Sequence, residues 1–391
     1  MGIFYIAKPF LPYHKPKILK QINDIPKLLK KNNKTSVFLI TDTSLRSIGI
    51  TSTLEKQLKR YGISCTVYDK TKANPTVDNI EEALKSYKEN HCQALIAFGG
   101  GSAIDCAKIV GARIAKPTKM VNQMKGTLRI LRKIPMLIAI PTTAGTGSEA
   151  TPAAVITDAK TNHKYTINDF CLTPSYAILD PKVTFSLPPH LTATTGMDAL
   201  THAVESYIGH STTKITRTQS AQAARLIFEN IEKAYLDGND YIARANMLKA
   251  SYLAGIAFSM SYVGYVHSVA HTLGGAYNIP HGLANSVLLP VVLEEYGKSV
   301  YKKLYELAVF CNIADANDTY EIASRKFINK IRELNKNMNI PTTISGIRKE
   351  DIPLMATYAD KEANPLYPVP KLMDAKELEL FYSKIADWSL K

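Results

Sequence analysis

The hydrophobic period of this 391-residue chain changes once, near Asp180, and that change limits the architectures open to it. Before it, short apolar runs alternate with amphipathic stretches. Residues 37–41 (VFLIT), 65–68, 94–98 (ALIAF) and 136–140 (MLIAI) read as buried strands. Residues 54–61, 77–89 and a stretch from Ala103 read as helices, with Ile80, Leu84 and Tyr87 at helical spacing. Strands that alternate with helices predict a parallel sheet covered on both faces, whose ligands bind at the strands' carboxyl ends. After Pro181, Pro188 and Pro189 the period of two disappears. Residues 193–209, 216–235, 241–258, 266–277, 283–296, 320–334 and 375–387 read as helices instead. The expected fold is therefore an α/β domain with a parallel sheet over 1–185, followed by an all-α domain over 186–391.

Composition removes several classes. With 46% hydrophobic and 21% charged residues, the chain has the mix of a globular protein rather than a disordered one. The five cysteines are scattered and none forms C-x-x-C, which argues against a disulfide framework and a thiolate zinc site. No apolar run approaches the ~20 residues of a membrane span. The N-terminus lacks the basic, apolar and small-residue order of a signal peptide, so a cytoplasmic location with no membrane partner is expected. The net charge of +14 comes from dispersed Lys and Arg, without an RNP, KH or zinc-finger pattern. It reads as solvated surface, not a nucleic-acid interface, although a basic field favours anionic ligands.

Two loops carry a phosphate-binding character. Phe98-Gly-Gly-Gly-Ser102 follows a predicted strand and opens a helix, where glycines allow close backbone approach and the helix start supplies N–H groups. Pro141-Thr-Thr-Ala-Gly-Thr-Gly-Ser148 follows the next strong strand and adds hydroxyls. Each loop alone could be a plain turn. Together, at two strand ends, they suggest an extended phosphorylated cofactor. Asp42 ends the first strand, where a carboxylate can bind ribose hydroxyls and repel a 2′-phosphate. It precedes the glycine turn, the reverse of the usual dinucleotide order, and on its own reads as a turn residue.

Six of the nine histidines fall between 190 and 281: His190, His202, His210, His267, His271 and His281. Asp198 and His202 lie four apart on one predicted helix, and His267 and His271 repeat the spacing on another, so each pair shares a helix face. His281 follows in a Pro-His-Gly turn. A lone helical histidine is usually structural. This concentration beside an aspartate instead suits a divalent ion such as Zn²⁺ or Fe²⁺. Spacing leaves open which of His267, His271 and His281 are ligands.

GGGSAIDCAK (99–108), PTTAGTGSE (141–149), LPPHLTATTGMDALTHAVESY (187–207) and YVGYVHSVAHTLGGAYNIPHGLANSVLLP (262–290) together resemble the iron-containing, or group III, alcohol dehydrogenases. The resemblance runs from the strand before Asp42 to EANPLYPVPKLM (362–373). It implies a dehydroquinate-synthase-like fold: a nucleotide-binding α/β domain and an all-helical metal-binding domain, with a cleft between. The implied metal ligands are Asp198, His202, His267 and His281, with His271 beside the metal, near the nicotinamide, without ligating it; because imidazole titrates near working pH, His271 is the candidate catalytic proton relay. By the same resemblance Gly100, Gly101, Ser102 and Asp105 lie near the pyrophosphate, and Thr142, Thr143 and Thr146 near the phosphates and nicotinamide. Asn74 and Lys164 line the cofactor cleft, and Asp42 favours NAD(H) over NADP(H).

The implied activity is hydride transfer between a primary alcohol or diol and NAD(H), with Fe²⁺ or Zn²⁺, in a homodimer or higher homo-oligomer. Segment 259–266 (SMSYVGYV) departs from relatives that carry Asn there, on the substrate side. The alternative is an NAD-using lyase or cyclase of the dehydroquinate-synthase type, and a further contrast is a non-catalytic nucleotide- or nucleic-acid-binding protein.

Overall fold

The computed structural model describes residues 13–158 and 163–389. The chain divides into two compact units, Met1–Ser186 and Leu187–Lys391.

The first unit is built on a six-stranded sheet in which every pairing is parallel. Its strands are β1 (Lys17–Leu19), β2 (Ser36–Ile40), β3 (Ser64–Tyr68), β4 (Ala94–Gly99), β6 (Leu137–Pro141) and β9 (Tyr176–Ile178), in the order β1-β9-β6-β4-β2-β3. Strands β2, β4 and β6 are apolar without interruption because both sheet faces are covered. Phe38, Ile40, Leu95 and Ala97 enter one core, while Val37, Leu39, Ile96 and Phe98 enter the other. Full burial of each such aliphatic or aromatic side chain contributes about 1.5–3 kcal/mol.

The connecting helices include α1 (Ile25–Lys31), α2 (Thr43–Ser47), α3 (Ser52–Arg60), α4 (Val77–Glu89) and α5 (Gly101–Ala115). Thr76 and Asn79 close a capping box at the start of α4. Strand order reverses at β2: the chain runs outward to β3, then returns to place β4 on the other side of β2. Such a switch leaves a crevice outside the carboxyl ends of β2 and β4, which is where Asp42 and the glycine turn stand.

Not read from the sequence were β1, β9 and a second, three-stranded sheet of β5 (Gly126–Thr127), β8 (His163–Asn168) and β7 (Ala153–Asp158). β7 and β8 pair antiparallel, with Val155 opposite Thr166. Their period-two signal is present: Ala154, Ile156, Tyr165 and Ile167 are buried.

The second unit is helical: α6 (Pro189–Ile208), α7 (Lys214–Leu236), α8 (Tyr241–Ser261), α9 (Tyr265–Tyr277), α10 (His281–Tyr296), α11 (Tyr301–Phe310), α12 (Tyr320–Asn337), α13 (Ile352–Ala363) and α14 (Ala375–Ile385). Helices α11 and α13 were not read from the sequence. Among the described residues no single helix is long and apolar enough to cross a membrane. Helices α8 and α9 meet at a bend of 102°. There Tyr262 takes φ +63°, a strained backbone for a bulky residue that costs on the order of 1–3 kcal/mol.

Candidate metal centre and phosphate-binding turns

In the first unit, Gly100 is the N-cap of α5 and offers no side chain to cap it, so the helix start is left to backbone N–H groups. The two loops predicted to bind phosphate lie against each other. A Cβ on Gly101 would stand 2.9 Å from Thr146 Cγ2, and one on Gly100 would stand 3.4 Å from Thr143. Thr142 is buried and donates its backbone N–H to Gly99 O. Asn74, at φ +57°, donates its N–H to Ser102 Oγ over 3.2 Å.

Thr157 donates its N–H to Pro75 O and pairs with Lys164 across the β7–β8 ladder, so Lys164 is one strand removed from the Asn74 turn. Burial lowers the Lys164 pKa. Asp42 accepts the Leu45 N–H as the N-cap of α2, and its Oδ2 would lie 3.8 Å from a Cβ on Gly99. Parallel pairing of β2 with β4 thus sets Asp42 beside the glycine turn despite its earlier place in the chain.

Asp105 is committed to structure: it accepts Ser148 Oγ–H over 2.6 Å and the Val155 N–H over 2.9 Å. Sequence reasoning passed over its neighbour Lys108, whose ammonium is wholly buried. It donates to Ser148 Oγ, Thr151 Oγ1 and the Ala153 carbonyl, 3.8 Å from Asp105. Burial pulls Lys108 down to about 8, against the pull of Asp105 and Glu149. It also pushes buried Glu149 up to about 7. This network ties α5 to the loop after β6.

In the second unit, α6, α9 and the start of α10 bring the predicted ligands together. Asp198, His267 and His281 each offer a donor atom, and these atoms all lie within 4.8 Å of one another. From Asp198 Oδ1 it is 3.8 Å to His267 Nε2, 3.5 Å to His281 Nε2 and 3.9 Å to His202 Nδ1. The His202 ring stacks on Phe258 with centroids 4.2 Å apart and lies 4.4 Å from the His267 ring.

His281 was read as part of a turn, but it is the first residue of α10, with Pro280 as N-cap. Gly282 lets this helix start press on α6, since a Cβ there would meet Thr194 O at 2.4 Å. His271 stacks on His281 at 5.2 Å, and its Nδ1 lies 2.6 Å from Glu362 Oε1, which also accepts the Tyr367 hydroxyl. His190 is exposed, and His210 Nε2 lies 3.3 Å from the Pro370 carbonyl, away from the cluster's hydrogen bonds.

Burial dominates the electrostatics. His267 is held well below the ordinary imidazole value, first by burial and then by His202, His281 and His271. Its lone pair is therefore available, as metal ligation requires. Burial pushes Glu205 up to about 8, against the N–H groups of Gly264 and Val266. Burial would also raise Glu362, but His271 and two hydrogen bonds more than offset it and leave it below its ordinary value.

Asp198 and Glu205 are only 2% and 4% exposed, and among the described residues their ion pairs are with histidines alone. Two buried carboxylates among imidazoles, with no Lys or Arg paired to them, form a donor set that fits a divalent cation. Glu205, Glu362 and Asn285 were missed by sequence reasoning. The Asn285 amide nitrogen lies 2.7 Å from Asp198 Oδ1, 3.2 Å from His267 Nε2 and 3.1 Å from His281 Nε2. Helical spacing would have found two of these, since Glu205 is i+7 from Asp198 and Asn285 is i+4 from His281.

Two sequence families match in succession. The one described as "Iron-containing alcohol dehydrogenase" covers residues 19–181, and the one described as "Fe-containing alcohol dehydrogenase family, C-terminal" covers 192–386. The chain belongs to the iron-containing alcohol dehydrogenase family. It is 35% identical over 385 residues to a 1,3-propanediol dehydrogenase of Citrobacter freundii, covering 97% of this chain and 98% of that one.

Among solved structures of this fold, an alcohol dehydrogenase from Oenococcus oeni superposes with a TM-score of 0.91 at 31% identity, covering 96% of this chain and 100% of that one. A sulfoacetaldehyde reductase from Bifidobacterium kashiwanohense, solved in complex with NAD⁺, superposes with a TM-score of 0.86 at 26% identity, covering 97% and 99%.

Proposed function

We propose that Asp198, His202, His267 and His281 hold a divalent cation, and that the turns around Gly100–Ser102 and Thr142–Thr146 hold NAD(H). The chain is a metal-dependent alcohol dehydrogenase acting on CH–OH donors, with small alcohols and aldehydes as substrates. The observation that carries the site reading is the convergence of the Asp198 carboxylate with the imidazoles of His267 and His281, without a permanent cation of the protein's own. When bound, the ion supplies Lewis acidity to the alcohol oxygen and the nicotinamide supplies a hydride acceptor.

The remaining work belongs to side chains of this protein. Asp198 brings the negative charge, and neutral His267 brings a nitrogen lone pair. His271, oriented through Nδ1 by Glu362, takes the hydroxyl proton and passes it to water. Gly100 and Gly101 keep the backbone of the first turn open to a pyrophosphate, and Thr142, Thr143 and Thr146 supply hydroxyls from the second. Asp42 receives ribose hydroxyls and repels a 2′-phosphate, which favours NAD(H) over NADP(H).

Iron and zinc both suit the donor set, and iron is the reading the family supports. We read the protein as a cytoplasmic homo-oligomer acting on a primary alcohol or diol. The lyase alternative is not favoured, since the relatives carry dehydrogenase and reductase names. The test is NADH oxidation with short aldehydes by protein loaded anaerobically with Fe²⁺ or Zn²⁺. Aldehyde-dependent turnover is expected, and its absence with every aldehyde and alcohol would overturn the reading.

A further inference from the structure

Helix α6 carries three polar residues on one buried face: Asp198, His202 and Glu205, at i, i+4 and i+7. The first two were expected from the sequence to bind metal. Glu205 was not, yet it is nearly as buried as Asp198. Its two carboxylate oxygens serve different partners on α9. Oε1 accepts the backbone N–H of Val266 over 2.8 Å, and Oε2 lies 2.5 Å from Nδ1 of His267. The space is made for it, because a Cβ on Gly264 would stand 2.8 Å from Oε1. The other ring nitrogen of His267, Nε2, is the atom that faces Asp198.

We propose that Glu205 is a positioning residue for the metal centre: it fixes His267 in the tautomer with the proton on Nδ1 and the lone pair on Nε2. A backbone N–H can only donate, so Oε1 is committed to accepting from Val266. The Asn285 amide nitrogen 3.2 Å from Nε2 can only donate, so Nε2 accepts, the ring proton sits on Nδ1, and Oε2 accepts it. The same carboxylate thereby locks the ring's rotation and the first turn of α9. Carboxylate partners of this kind generally change metal affinity about 10–100-fold. This role rests on the reading of His267 as a ligand.

Glu205→Gln is a sharp probe because it keeps the shape and inverts one hydrogen bond. Its single carbonyl oxygen satisfies Val266, so its NH₂ turns to His267 Nδ1. That nitrogen must then accept, and the proton moves to Nε2, the atom that has to be bare. The experiment compares full-length wild type, Glu205→Gln, Glu205→Asp and His267→Ala. Zn²⁺ affinity is measured by chelator competition. The His267 tautomer is read from ¹⁵N shifts of histidine-labelled, metal-free protein.

The expected result is that Glu205→Gln weakens Zn²⁺ binding about 10–100-fold and moves the His267 proton to Nε2, with helicity unchanged. Glu205→Asp retains the wild-type tautomer and loses less affinity. Wild-type affinity or an unchanged tautomer in folded Glu205→Gln overturns the proposal. If that variant does not fold, a Glu205→Asp protein with the proton on Nε2 overturns it. Undiminished Zn²⁺ affinity in His267→Ala would instead refute the ligand reading, and the tautomer measurement would still decide the role of Glu205.

Discussion

The turn region of the first unit and the histidine cluster of the second both bury carboxylates, but they neutralise them differently. Around the glycine turn, Asp105 and Glu149 share the buried ammonium of Lys108, which also holds Ser148 and Thr151. Around the cluster, among the described residues, the ion pairs of Asp198 and Glu205 are with imidazoles only. The first site carries its cation covalently and is complete as folded. The second has no Lys or Arg among the described residues paired to its carboxylates, which is why we propose that it takes a divalent ion. The proposed binding chemistry follows the same division: backbone N–H groups and hydroxyls in one, side-chain lone pairs in the other.

Removing the metal should separate the two most strongly. Chelation is expected to abolish turnover and to cost the second unit about 3–4 kcal/mol when the free ion had stood at roughly 100–1,000 times Kd. Hydrogen exchange should quicken in α6, α9 and α10 while β2, β4 and β6 keep their protection. Equal loosening of the sheet would break the distinction.

Removing the first unit's own cation is the matching experiment. Lys108→Met should leave Asp105 and Glu149 buried without a cation and cost about 3–5 kcal/mol in urea unfolding, whether or not metal is present. A loss that disappears on metal loading would contradict it.

A smaller effect concerns Glu149, whose folded pKa of about 7 lies above its ordinary 4.5. Between these values the folded chain holds the proton more tightly than the unfolded chain, so this group's contribution to stability falls as pH rises through the window. Glu149→Gln removes that dependence. The variant should therefore gain on wild type between about pH 5 and 7, by on the order of 2–3 kcal/mol. A constant difference across that range would mean that Glu149 is ionised throughout.

The smallest expected change is in cofactor choice. Asp42→Gly should raise the NADPH/NADH ratio of kcat/KM roughly tenfold, about 1.4 kcal/mol, by removing the charge beside Gly99. An unchanged ratio would leave Asp42 as the N-cap of α2 alone.

Legibility from the sequence also divides along this line. Strands β2, β4 and β6 were read within a residue or so of their observed bounds, because unbroken apolar runs have no other stable use in an alternating pattern. The second sheet escaped notice because β7 and β8 are half-polar, and they become strands by pairing with each other. Helix α13 was missed, and with it Glu362, the partner of His271, since the two residues lie 91 positions apart. Asp105 was expected near phosphate by resemblance, and the structure adds partners the sequence did not show, Ser148 and Val155. Local pattern cannot report which of two partners a carboxylate finds.

The sequence by itself determined the central strands β2, β4 and β6, the change from alternating to helical architecture, and the donors that lie one helical turn apart. These are short-range properties, set by period and side-chain chemistry within a few residues. Only the tertiary structure decided that Asp42 stands beside a glycine turn far along the chain, that His267 is backed by Glu205, and that Lys108 is buried against two acids. Those outcomes depend on strand order and helix packing, which join residues through space at separations where sequence spacing carries no distance.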